Sequence, residues 1–174
     1  MNKQLPDREQ AIEILKRNHC SPKVMQHTQA VSALAVEIAK QLQEKGHQIN
    51  VQLVEVGALL HDLGRSQTHS VDHAIVGAKL AQQEGLPKEI ASIIKRHVGA
   101  GITNEEAQWL GWPEDNYIPQ SLEEKVICYA DKRIDNNKII PIDVTINQLQ
   151  AENMPEAAER VRKLHNEITA LLEA

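Results

Sequence analysis

Phenylalanine is absent from the 174 residues, and two Trp and two Tyr are the whole aromatic complement. Four aromatics cannot build a base-stacking platform of several positions. A basic excess is missing too: 19 Lys+Arg face 24 Asp+Glu, a formal net charge of −5. A general nucleic-acid binder carries the opposite balance, so no nucleic-acid polymer is expected as a partner. No apolar run approaches the ~18 residues of a membrane span. The N-terminal stretch MNKQLPDREQ has no signal-peptide pattern, and no membrane association is expected. Cys20 and Cys128 form neither a CxxC pair nor a disulfide framework, which fits reduced thiols in a cytoplasmic protein.

What is present is globular, at 41% hydrophobic and 25% charged residues. The length fits a single domain over residues 1–174. Eight histidines stand out, twice the number of aromatics.

Helical periodicity runs through almost the entire chain. Asp7 caps a first helix ending near Asn18, and Ser21 with Pro22 opens a second that runs to Gly46. A third runs from Asn50 to Gly64, and polar residues 65–71 read as a loop. Asp72 caps a fourth helix to Glu84, and Pro87 opens a fifth to His97. Thr103 with Glu106, and Ser121 with Glu124, are capping boxes for helices to Leu110 and Asn136. Residues 143–152 and 155–173 complete an all-α reading of seven to eight helices without sustained strand alternation.

Several polar residues lie on the apolar stripes of these helices. His27 shares a stripe with Val31, Leu34, Ile38 and Leu42; His97 continues Ile90 and Ile94. His73 lines up with Gly77 and Leu80, Asp131 sits between Ile127 and Ile134, and His61-Asp62 directly follow Leu59-Leu60. Taken alone, His27 could be a hydrogen-bonded core residue, and Asp131 could pair with a Lys or Arg. Together, two inward carboxylates need cationic partners that neutral imidazoles cannot supply, and a divalent metal satisfies all six. His19, His47, His69 and His165 lack such placement and read as surface or loop residues.

His27, then LLHDLGR over residues 59–65, then Asp131 in CYADK resembles the HD superfamily of metal-dependent phosphohydrolases. The likeness covers residues 22–135, with the helices over 143–173 expected to pack on that core. It implies a helical bundle in which His27, His61, Asp62 and Asp131 bind a first divalent metal. His73 and His97 resemble the additional histidines of the binuclear branch, which includes symmetrical diadenosine tetraphosphate hydrolases; uncharacterised archaeal HD proteins look similar as well. There Asp62 would bridge two ions as the central catalytic residue. The ions would be Fe, Mn, Co, Ni or Zn, and the substrate a nucleotide or another small phosphorylated molecule. The HH pair and GYP signature of cyclic-di-GMP phosphodiesterases are lacking, so that substrate is not carried over.

Arg65 and, less directly, Lys132 are the candidate substrate-binding cations. Trp109, Trp112 and Tyr117 could line a nucleobase pocket or a lid, or simply pin a loop to the bundle. Residues 137–174 could cover the bundle or contact a second subunit. A single-metal nucleotidase and a non-catalytic, metal-stabilised sensing or scaffold domain remain the alternatives.

Overall fold

The computed structural model describes residues 3–174, and nine α-helices are present among them. In chain order they are α1 (Arg8–Arg17), α2 (Pro22–Glu44), α3 (Val51–Leu60), α4 (His73–Gln83), α5 (Lys88–Lys95), α6 (Asn104–Leu110), α7 (Leu122–Lys132), α8 (Ile142–Ala151) and α9 (Pro155–Glu173). Each of the nine segments read as helical forms a helix, one more than the total of seven to eight expected for the bundle. The short α6 stands as a separate helix, ended by Gly111 in the left-handed region (φ 74).

Capping follows the predicted chemistry. Asp7, Ser21, Asn50, Thr103 and Ser121 each accept a hydrogen bond from a backbone N–H in the first turn of their helix. Asp72 does not. Its carboxylate takes the indole N–H of Trp112 at 2.7 Å instead.

α3 is the pivot. Val54 and Ala58 face a core built with α2 (Val31, Leu34, Ile38), α7 (Val126, Ile127) and α9 (Val161, Leu164, Ile168). Val56, Leu59 and Leu60 face a second core with Leu15 of α1, Leu80 of α4 and Ile90 and Ile94 of α5. The first turns of α3 keep Gln52 and part of Glu55 at the surface, but from Val56 to Leu60 every residue is buried between the two cores. Each fully buried Leu or Ile contributes about 1.5–3 kcal/mol. The chain leaving α3 is thus delivered to the centre of the molecule.

Two boundaries near the site differ from expectation. α3 stops at Leu60, and a tight 3-10 turn, Leu63–Ser66, follows. Gly64 in that turn lies against α4: a Cβ on Gly64 would collide with the His73 carbonyl, and one on Gly77 would meet the Gly64 nitrogen at 2.9 Å. α7 ends at Lys132, not Asn136. The next residues form a hairpin of β1 (Ile134–Asp135) and β2 (Lys138–Ile139), with Asn136 at a left-handed φ of 58. Helical spacing could not separate this turn from one more helical turn, because Ile134 is buried either way.

Candidate metal centre

Five segments bring the six predicted residues together. His27 comes from the first turns of α2, His61 and Asp62 from the exit of α3, His73 from the start of α4, His97 from just beyond α5, and Asp131 from the last turn of α7. Asp62 is at the centre. Its Oδ2 is 3.5 Å from Nε2 of both His27 and His61, and its Oδ1 is 3.3 Å from Nε2 of both His73 and His97. Asp131 Oδ1 closes the first half, 2.9 Å from His27 Nε2 and 3.3 Å from His61 Nε2. In the second half the two Nε2 atoms of His73 and His97 are 3.0 Å apart.

The orientation of the rings has a simple cause. A carbonyl oxygen only accepts, so an Nδ1 beside one must carry the proton. His61 Nδ1 donates to Ala58 O (2.6 Å), His73 to Ser70 O (2.7 Å), His97 to Ile94 O (2.6 Å) and His27 to Asn136 O (3.3 Å). In their neutral form the rings would point four bare Nε2 lone pairs at three carboxylate oxygens and at each other. Such a set of acceptors without donors calls for cations, and buried His61 Nε2 has no hydrogen-bond partner. Imidazole nitrogens and carboxylate oxygens at these separations fit divalent transition metals, with Nδ1–carbonyl contacts fixing each ligand.

Without metal, protons take part of that role. Burial opposes charge on His61, but Asp62 and Asp131 outweigh it and hold its pKa up at about 9. For His97 burial dominates and lowers the pKa to about 4, so its ring is neutral. Burial would raise both carboxyls, yet His61 acting on Asp62, and Lys132 with His61 acting on Asp131, keep them well below the usual carboxylate range.

The two candidate cations occupy different places. Arg65 lies 3.2 Å from Asp62 Oδ2 through Nε, donates to His69 O, and lines the open side of the cluster. Lys132 is turned inward: its Nζ donates to Asp131 Oδ2 at 2.9 Å and to His97 O at 3.0 Å. It braces a ligand of each half.

A cavity of about 520 Å³ opens onto the centre, lined by Lys23, His27, Asp62, Arg65, His69 and Asn136. Lys23 and the Asn136 turn were not singled out from the sequence. Lys23 reads there as an ordinary solvated charge, and a backbone carbonyl leaves no signature in residue type. A larger groove, about 830 Å³ along α4 and α5, contains none of the six residues.

The aromatic residues do not line the mouth. Trp112 and Tyr117 pack edge to face, ring centroids 5.0 Å apart, and pin the loop over Ala74, Ile102 and Ala107. Trp109 is 88% exposed. Of the two readings open from the sequence, the loop-pinning one holds for Trp112 and Tyr117, while Trp109 faces solvent and does not line a nucleobase pocket or lid. His165 is likewise more than a surface residue, since it bonds the Tyr129 hydroxyl at 2.7 Å and joins α9 to α7.

Residues 24–134 match the HD-domain family. The chain belongs to that family. It is 43% identical to an uncharacterised protein of Methanocaldococcus jannaschii, over 94% of this chain and 98% of that one. It is also 36% identical to a tRNA (cytidine(56)-2'-O)-methyltransferase of Picrophilus torridus, over 97% of this chain but only 48% of that one, so it spans about half of that relative's length. Among solved structures, the HD domain of the L. monocytogenes phosphodiesterase PgpH shares the fold at 17% identity. The TM-score is 0.56, with 92% of this chain and 95% of that one covered. The same domain in complex with cyclic-di-AMP gives a TM-score of 0.58.

Proposed function

We propose that this chain is a metal-dependent phosphohydrolase with a two-ion centre, acting on a phosphoester or phosphoanhydride of a nucleotide or other small phosphorylated molecule. The observation that carries this reading is Asp62, whose two oxygens face two separate pairs of imidazoles. His27, His61 and Asp131 would hold one ion, His73 and His97 the other, and Asp62 both. Divalent ions held there would polarise phosphoryl oxygens and lower the pKa of a water molecule.

The remaining work belongs to the chain itself. Arg65 and Lys23, at the mouth, bind phosphate oxygens of the entering substrate. Lys132 keeps Asp131 and the His97 segment in register. A mouth of about 520 Å³ has the size of a small-ligand site and favours a mononucleotide or dinucleotide over a polymer.

Metal analysis followed by a phosphoester screen tests the reading. Two equivalents of Mn, Fe, Co, Ni or Zn and hydrolysis of a nucleotide support it. One equivalent in fully active protein supports the single-ion alternative, and no turnover with any metal supports a binding module. A second substrate class is favoured by one observation, the relative named for tRNA methylation. Short RNA oligonucleotides therefore belong in the screen, and cleavage of them in preference to nucleotides would displace the small-molecule assignment.

A further inference from the structure

We infer that the hairpin of β1 and β2 is a working part of the metal centre, with Asn136 as a positioning residue for His27. The inference rests on the cluster being a metal site. His61, His73 and His97 each find their Nδ1 acceptor three residues upstream, at the end or start of their own helix. His27 has no such arrangement. It sits inside α2, where the local carbonyls accept from the helix's own N–H groups. Its acceptor is the carbonyl of Asn136, 109 residues away in sequence.

That carbonyl is held firmly. Asn136 adopts φ 58 at the tip of a hairpin whose register is Ile134↔Ile139 and Asp135↔Lys138. Ile140 N donates to Arg133 O at 2.8 Å, Thr145 Oγ1 donates to Lys132 O at 2.6 Å, and Ile134 is buried. The hairpin begins three residues after Asp131, whose Oδ1 lies 2.9 Å from His27 Nε2. One continuous segment thus supplies a ligand and orients the ligand opposite it. His27 is also the most exposed of the six, with 21% of its side chain accessible, so packing alone constrains it least.

The left-handed backbone at position 136 gives the test. Glycine keeps that conformation, alanine strains it, and proline, fixed near φ −65°, forbids it. Cobalt binding to metal-free protein is measured by calorimetry and by the visible absorption of bound Co²⁺, with helix content checked by circular dichroism. Asn136→Gly is expected to match the wild type. Asn136→Pro is expected to weaken the ion held by His27 about 10–100-fold and alter its spectrum, as loss of a ligand's orienting partner does, with Asn136→Ala between them. Equal affinity and spectra across the three variants overturn the role of the hairpin. Should Asn136→Pro fail to fold, Asn136→Ala against Asn136→Gly decides in the same way. Absence of cobalt binding by the wild type is a separate outcome, and it overturns the metal reading together with this one.

Discussion

Asp62 carries more of the centre than any other side chain, since all four imidazoles approach its two oxygens. Asp62→Ala is expected to abolish metal binding and phosphoester turnover while leaving helix content near wild type; normal activity in that variant would refute the assignment. Protonation gives a second check. His61 holds a proton up to about pH 9 in metal-free protein, and an entering ion must displace it. Apparent metal affinity therefore rises with pH, by about tenfold per unit, and levels off above that pKa. Calorimetry in buffers of different ionisation enthalpy should show close to one proton released per chain near neutral pH; zero release would contradict the role given to His61. These residues were legible in the sequence because a polar side chain on an apolar stripe is conspicuous. Asn136 was not, because its contribution is a carbonyl that every residue possesses.

At the scale of elements, α3 and its 3-10 turn set the spacing of the two halves. The turn approaches α4 closely because Gly64 and Gly77 meet without side chains. Gly64→Ala must push α4 outward, and His73 with it. The expected cost is about 1–3 kcal/mol of overpacking, read from denaturant unfolding. Weakened metal binding should accompany it, because His73 moves away from Asp62 Oδ1; unchanged metal content would show that α4 yields elsewhere. Capping chemistry and stripes made the helices readable, whereas the 3-10 turn and the hairpin depend on tertiary contacts. Ile134 illustrates the difficulty, since its burial suits a longer α7 as well as a strand.

Across the whole molecule, the centre ties together α2, α3, α4, α5 and α7, segments separated by up to 104 residues between His27 and Asp131. Ions bound only by the folded state act as cross-links among these helices. At ~100 times its dissociation constant each ion would contribute about 2.7 kcal/mol, or about 5–10 °C in melting temperature for a chain of this size. Scanning calorimetry before and after chelation reads that difference, and an unchanged melting temperature would argue against a structural role for metal. The cavity, by contrast, opens on the His27 side of the centre. His27 and Asp131 keep 21% and 16% of their side chains accessible, while His73 and His97 keep 5% and 3%. If two ions bind as proposed, their traffic would be ordered: the ion beside His73 and His97 would enter first and leave last, behind its neighbour. Chelator stripping followed over time should show two phases, with the slower one belonging to the inner ion and shortened by any substitution that loosens the hairpin.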